Sequence, residues 1–469
     1  MIQTAQDEPL WRWPELCEAL DLPVVDGPDV AGVAIDSRQL KQGELFVALA
    51  GDPGSRFTVT HRSERDGHDF IEQAFAAGAA GALVSRDKAP IAAGTGRALL
   101  KVADTLDGLW QLGAARRRQL EGPVVAVTGS SGKTTAKAFL AAALDAHATA
   151  GSLNNHLGVP LSLGLTPRTA RPVVIEIGMN HPGEIAPLAQ LARPNVAVVV
   201  NVGTAHIENF ADPDGIRKEK LSIVEGLSPQ GILVVHDEVD LTGIAALPER
   251  ILRFGRSGSA DVRLLALDGL TARYRVGAVE CAAAVPGGGW HRAQTLGAAL
   301  AVLQALAMPV DQGLSLPQHL VPAGRGAIRQ IGSATLIDDC YNANPASMAA
   351  ALEQLLTDPP RSGPCYALLG EMKELGDLSA DAHRTVCAQA AGLDGYWLVG
   401  DAWPEAAPGN LLGRWPRVDE RTAQSLLKNT RINLDEPYNL LIKGSNSVFW
   451  QSRFVDKLAD GLAAAGLSG

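Results

Sequence analysis

VVAVTGSSGKTTAKAFL, residues 124–140, runs from an apolar strand candidate, Val124 to Val127, through a glycine turn and straight into a run of helix formers. The turn reads Gly129-Ser130-Ser131-Gly132-Lys133-Thr134-Thr135. Its two glycines let backbone N–H groups converge on phosphate oxygens, and the start of the following helix adds its dipole. Lys133 supplies a positive charge for the β and γ phosphates of ATP, and the Thr134 hydroxyl can meet magnesium. Two residues separate the glycines where the general phosphate-loop pattern has four. A short glycine turn before a helix is common by itself. The Lys-Thr-Thr that follows, in a strand-to-helix setting, is what turns it into a phosphate cradle and implies an α/β fold around a parallel sheet.

Working outward, Val173 to Ile177 and Val196 to Val200 are further short Val/Ile runs separated by amphipathic stretches. Such runs suit parallel strands covered on both faces, although buried helix has the same texture. The middle of the chain is therefore expected to be a doubly wound domain. Before it, strand-like runs such as Glu44 to Leu49 alternate with glycine-rich turns and predict a small α/β domain. After the helix expected over Ala293 to Leu306, the stretch MPVDQGLSLPQHLVPAGRG, residues 308–326, reads as a linker. A second sheet-and-helix domain follows, with strands expected at Thr335–Ile337, Tyr366–Leu369, Tyr396–Val399 and Leu440–Ile442. A chain of 469 residues is too long for one core and fits three such domains.

Composition narrows the function. Hydrophobic residues make up 46% and charged residues 20%, values that suit a globular chain with a sizeable core. A formal net charge of -10 with no basic stripe argues against nucleic acid as a partner. Cys17, Cys281, Cys340, Cys365 and Cys387 are odd in number and scattered, as expected of reduced thiols. No apolar run approaches membrane-spanning length and the amino terminus lacks a leader pattern, so the expected location is the cytoplasm, with no stable membrane insertion.

Three residues carry chemistry beyond the loop. Glu176 sits inside the apolar run Val173 to Ile177, where a carboxylate costs several kcal/mol unless it is paired or bound to a metal. The next strand delivers Thr204 and His206 just past its carboxyl end, the edge at which ligands of open parallel sheets gather. Glu176 and His206 could share a metal, although either alone would more often be a satisfied core or surface group. With Asp214 to Leu227 read as a helix, Lys220 falls on the stripe of Ile216, Ile223, Val224 and Leu227. Such a lysine usually snorkels to solvent. Burial would instead lower its pKa and free the amine, which can take up carbon dioxide as a carbamate and become a metal-binding anion.

The sequence then resembles the Mur ligase family along nearly its whole length. The matching segments are TGSSGKTT, LNNHLGVP (153–160), IEIGMNHPGEI (175–185), NVGTAHIENF (201–210), the helix with Lys220, GRG (324–326), IDDCYNANPASM (337–348), LLGEMKELGDLSADAH (368–383) and IKGSNS (442–447). YNANP, ELG and the pair DSR (36–38) and DGHDF (66–70) are most similar to the branch that adds D-alanyl-D-alanine to a UDP-N-acetylmuramoyl tripeptide. The resemblance implies three domains: residues 1–105 for the UDP-linked substrate, 106–318 for ATP, and 319–469 closing over the nucleotide with the dipeptide. It implies ATP and two magnesium ions, with metal ligands Thr134, Glu176 and His206 and a carbamylated Lys220. Lys133, Lys220, His206 and Arg325 would be catalytic. Gly129, Ser130, Ser131, Gly132, Lys133, Thr134, Thr135, Arg325, Asp339 and Asn342 would hold the nucleotide, with Thr295 where the family has an adenine-contacting asparagine. Ser37, Arg38, Asn154, Asn155 and Asn344 would bind substrate. The implied reaction is amide formation through an acyl phosphate in peptidoglycan precursor synthesis, carried out by a monomer.

Simpler roles exist for some of these residues: Asn344 before Pro345 suits a helix cap, and Asp338 and Asp339 suit a turn at a strand end. Ser222 follows Lys220 where the family often has Lys-x-Glu, Trp290 precedes His291 where a glycine is usual, and Asn446 stands where relatives usually have arginine. The loop from Gly51 to Asp66 is longer than the family pattern. A related ligase acting on folate or another peptide, or a nucleotide-binding relative without catalysis, remains the alternative at this level.

Overall fold

The computed structural model describes residues 8–51, 57, 65–88, 96–149, 151–360, 362–427 and 436–466. Three sheets follow one another along the chain. The first has four parallel strands in chain order, Gly32–Ala34, Glu44–Val47, Gly81–Ser85 and Leu99–Val102. Its core gathers Trp11, Trp13, Leu45 and Leu83 with Leu109 and Leu112 of the helix Thr105–Gln119 and Leu161 of the helix Gly158–Gly164. One apolar cluster therefore fastens the first sheet to helices flanking the second.

The central sheet has nine strands, and Val124–Thr128 lies between Val173–Glu176 and Val196–Val199, parallel to both. All three are buried along their whole length, which is why they read as unbroken Val/Ile runs with no polar alternation. Ile232–His236 and Arg250–Gly255 continue the parallel array. Beyond them, Val262–Asp268 pairs antiparallel with Thr271–Val276, and that strand with Val279–Ala284. This hairpin edge is absent from the sequence expectation, because its alternating buried and exposed residues lack the apolar run that marks the other strands. The helices Lys133–Ala143 and Trp290–Ala305 cover one face and Ile185–Ala192 the other.

The third sheet has six strands, ordered Ala327–Ile331, Ala334–Asp339, Tyr438–Lys443, Cys365–Gly370, Gly395–Val399 and Leu411–Trp415, parallel except for the first. The strands expected from the sequence are present, with ends shifted by a residue or two. The stretch expected as a linker is partly absorbed into the central core: it forms short 3-10 turns at Val310–Gly313 and Gln318–Leu320, and Leu316 is buried. The longer loop expected between Gly51 and Asp66 lies largely outside the described residues. Among the described residues no helix is long and apolar enough to cross a membrane.

The helix expected over residues 214–227 is shorter. It runs from Pro213 to Leu221, capped by Asp212, and tightens into a 3-10 stretch over Ser222–Gly226. The tightening lets the backbone at Gly226 settle on the helix Ile185–Ala192, where an added Cβ would lie 2.1 Å from the Ala189 carbonyl oxygen. Gly226→Ala is expected to lower stability by about 1–3 kcal/mol, since backbone must move to admit the methyl group. An unchanged thermal midpoint would show that the two segments are not in obligatory contact.

Candidate active site

The phosphate loop is held from one side by the loop that follows Val196–Val199. Ser131 N–H donates to Asn201 Oδ1 at 3.0 Å, Asn201 Nδ2 donates to the Ser131 carbonyl at 3.1 Å, and Ser130 N–H donates to the Asn201 carbonyl at 3.2 Å. Ser130 Oγ accepts from Gly203 N–H at 2.8 Å and donates to the Gly203 carbonyl at 3.1 Å. Gly132, at φ +75°, sits in the left-handed region at the cap of the helix Lys133–Ala143, so glycine is required there for conformation. Lys133 Nζ donates to the Gly129 carbonyl at 2.8 Å. Burial pushes the Lys133 ammonium pKa down, with Glu176 opposing the shift and Arg325 adding to it.

Glu176, 3% exposed, ends its strand with both oxygens engaged. Oε2 accepts from Thr134 Oγ1 at 2.9 Å and Oε1 from Asn154 Nδ2 at 2.7 Å. Lys137 Nζ lies 3.6 Å from Oε2 and donates to the carbonyls of Thr149 and Gly151. Lys137 is missing from the sequence-predicted site. Its signal was present, a second lysine one helical turn past Lys133 among alanines. His206, at φ +65°, places Nδ1 2.5 Å from Oε2 of Glu374, itself at φ +63°. The His206 imidazole holds the Glu374 carboxyl below its usual range, against burial. This pair joins the central sheet's loops to the third sheet's ELG segment, and nothing in the sequence links the two residues.

Lys220 is 1% exposed. Burial pushes its pKa well below the usual lysine range, the charge of Lys133 adds to that, and Glu219 opposes it. Glu219 accepts at 2.8 Å from the N–H groups of both Gly183 and Ile185, binding this helix to the start of Ile185–Ala192. Among the outcomes open to Lys220, burial rather than snorkelling is the one observed.

From the third sheet's side, Arg325 extends over the Tyr341 ring, 4.1 Å from its centroid, and Nη2 donates to Ser152 Oγ at 3.0 Å. Ser152 Oγ is in turn 3.0 Å from Thr134 Oγ1. Asp339 pairs with Lys443 at 2.7 Å, and Lys443 Nζ donates to the Asn342 carbonyl at 3.2 Å. Asn344 Oδ1 accepts from Ser347 N–H at 2.9 Å and caps the helix Pro345–Thr357, so that side chain is committed to structure. Asp338 and Asp339 are strand residues, with Asp338 buried. Asn446 donates to the Tyr341 carbonyl at 3.1 Å.

Most of these groups, though neither Lys137 nor Lys220, line one cavity of about 720 Å³. Of the sequence-predicted residues, Ser130, Ser131, Gly132, Lys133, Thr135, Asn154, Asn155, Glu176, His206, Thr295, Arg325, Asp339, Asn342 and Asn344 line it. Thr134 joins through its bonds to Glu176 and Ser152. Thr295 also borders a second cavity of about 430 Å³ with His236, His291 and Gln294. Its hydroxyl donates to the His291 carbonyl at 2.9 Å. Ser37 and Arg38 lie in the first sheet's region, away from the cavity. Ser37 Oγ meets Gln73 Oε1 at 3.2 Å, and the exposed Arg38 pairs with Asp36 at 2.7 Å. Among the described residues no cluster of three His, Cys, Asp or Glu side chains forms a ready metal cage. A hydroxyl beside a carboxylate at the phosphate loop instead suits a magnesium ion that keeps water and phosphate oxygens as ligands.

A phosphate loop closed over by a second α/β lobe defines a phosphate-loop nucleotide enzyme with its site between domains. Residues 127–302 match the Mur ligase middle domain and residues 324–420 the Mur ligase, glutamate ligase domain. The chain is 34% identical over 453 residues to the UDP-N-acetylmuramoyl-tripeptide--D-alanyl-D-alanine ligase of Escherichia coli (strain K12), covering 90% of this chain and 93% of that one. It is also similar to crystalline MurF from Acinetobacter baumannii, with a TM-score of 0.79 at 31% identity over 96% of this chain and 99% of that one. MurF from Thermotoga maritima in complex with ADP gives a TM-score of 0.75 at 27% identity over 92% and 98%. The chain belongs to the Mur ligase family.

The Lys220 environment has a measurable consequence. Its folded pKa lies below the unfolded value near 10.5, so between the two the native state binds fewer protons and stability rises with pH. In buffer stripped of carbon dioxide, Lys220→Met is expected to be more stable than the parent at pH 7 by about 1 kcal/mol or more, the gain shrinking toward pH 10. Equal thermal midpoints at both pH values would mean that the amine is solvated.

Proposed function

We propose that this chain joins D-alanyl-D-alanine to UDP-N-acetylmuramoyl-tripeptide at the expense of ATP, a step of peptidoglycan precursor synthesis. The observation that carries this is the single cavity in which Lys133 and Glu176 face Arg325 and Asp339, in a chain related over most of its length to ligases of that name. Lys133 and Arg325 neutralise charge on the γ-phosphoryl group as it passes to the tripeptide carboxylate, which leaves ADP and an acyl phosphate. The dipeptide amine attacks the acyl carbon, a proton leaves the nitrogen, and the tetrahedral intermediate collapses by breaking the carbon–oxygen bond to phosphate.

Thr134, Glu176 and His206 would hold magnesium, which supplies charge neutralisation and a template for phosphate oxygens. Two ions are the number we assign. The buried, readily neutral amine of Lys220 suits reaction with carbon dioxide to give a carbamate and a proton, and the carbamate would add an anionic ligand. Thr295 stands at the adenine position, while Asp339 and Asn342 bound the nucleotide from the closing lobe. Ser37 and Arg38 serve the UDP end, in a domain of residues 1–105. Asn154 and Asn155 serve the peptide end, and Asn344 does so through the helix start it caps. Residues 106–318 form the ATP domain and 319–469 the closing domain. The enzyme works as a monomer in the cytoplasm.

Phosphate release should require both the UDP-linked tripeptide and D-alanyl-D-alanine; release with folate-type or other peptide substrates alone would redirect the assignment. Lys133→Ala is expected to slow turnover by about a hundredfold or more with the thermal midpoint kept. Lys220→Ala should be inactive and regain part of its rate on addition of a short carboxylate such as formate; full activity without it would remove the carbamate.

A further inference from the structure

Arg292 lies in the first turn of the helix Trp290–Ala305, 5% exposed. A cation there opposes the helix dipole, and burial of an arginine without a carboxylate is expensive. Among the described residues no carboxylate is within ion-pair distance of it. Its guanidinium instead donates to four neutral acceptors on three segments. Nη1 reaches the carbonyls of Gly287 at 2.9 Å and Gly288 at 3.3 Å and Gln354 Oε1 at 3.1 Å, while Nη2 reaches the carbonyl of Arg325 at 3.0 Å. Gln354 Nε2 also donates to the Gly287 carbonyl at 3.0 Å, so the three segments are cross-braced.

The backbone around this fork is shaped to receive it. Gly287, Gly288 and Gly289 all have positive φ, at +72°, +62° and +82°. Gly326, at φ +88°, has a backbone conformation that L side chains rarely adopt, and an added Cβ would lie 1.8 Å from Arg292 Nη2, so the guanidinium would have to leave its present place. The residue between Gly324 and Gly326 is Arg325, whose own side chain crosses the cavity to Ser152 and through it to Thr134. One guanidinium thus holds the backbone from which the other is aimed.

We propose that Arg292 is a positioning residue that fixes Arg325 over the phosphate loop by tying the Gly324–Gly326 backbone and Gln354 to the start of the central domain's last helix. The proposal rests on Arg325 acting on the transferring phosphoryl group. Arg292 itself borders the cavity, but its guanidinium is engaged by backbone and Gln354, and the role assigned to it is to set the angle at which Arg325 enters.

A double-mutant cycle on the full chain tests this, with phosphate release dependent on D-alanyl-D-alanine as the readout. Arg292→Ala is expected to lower kcat by about tenfold or more while KM for ATP moves by less than about threefold, because a transition-state contact is lost rather than ground-state binding. Arg292→Lys should recover part of the rate, since an ammonium reaches some of the same acceptors without the fork. The double variant Arg292→Ala/Arg325→Ala should be within about twofold of Arg325→Ala alone. Multiplying effects in the double variant, or an unchanged kcat in Arg292→Ala beside an impaired Arg325→Ala, would overturn the proposal. An unimpaired Arg325→Ala would overturn the role of Arg325, and this inference with it. If Arg292→Ala shows a collapsed thermal midpoint, the same cycle run with Arg292→Lys decides.

Discussion

The site depends on a carboxylate buried at the end of an apolar strand. Glu176 is surrounded by Val and Ile, and its charge is tolerated because Thr134 and Asn154 donate to it and Lys137 lies close by. Those partners come from two segments. Thr134 and Lys137 stand on the helix that begins at the phosphate loop, and Asn154 stands in the loop before the helix Gly158–Gly164. Satisfying one buried carboxylate thus registers the phosphate loop, the strand beside it and the asparagine loop against each other. The same arrangement sets Lys133 and Lys220 near enough for their charges to interact, which helps hold Lys220 toward its neutral form.

The second lobe reaches this centre at two places. On one side Arg325 bonds to Ser152, and on the other Glu374 meets His206, with both members of that pair in the left-handed backbone region. Backbone in that region is uncommon outside glycine and persists where surrounding structure over-determines it. Between these contacts the Lys443–Asp339 pair, with Lys443 buried and Asp339 partly exposed, stiffens the strand ends that face the cavity. Lys133, Glu176, Arg325, Asp339 and Lys443 on the cavity wall are thus each paired or braced by hydrogen bonds, a preorganised setting for moving a phosphoryl group.

The residues first expected at the site are divided by this geometry. Asn344 and Asn155 spend their side-chain oxygens on backbone N–H groups, Asn344 at a helix cap and Asn155 at the turn into a helix, so they shape the wall chiefly through the segments they start. Thr295 turns its hydroxyl back to the His291 carbonyl, and the His291 imidazole is kept far below its ordinary pKa by burial, Arg292 and Lys443. The start of that helix is thus organised around a buried arginine.

Local features written within a few residues were legible in the sequence alone. The glycine turn with Lys133 and Thr134, the apolar strands on either side, the carboxylate among valines and the lysine on an apolar stripe each have a period or spacing that neighbouring residues enforce. Pairings between segments distant along the chain were not. Arg325 with Ser152, His206 with Glu374, and Arg292 with the Arg325 carbonyl join segments whose separation leaves no periodic trace, and the hairpin edge of the central sheet has no apolar run to announce it. The sequence by itself determined which segments become strands, helices and a phosphate loop, because backbone sterics and burial act locally. Only the tertiary structure decided which side chains face one another across the cavity, because that follows from how the second lobe docks on the first.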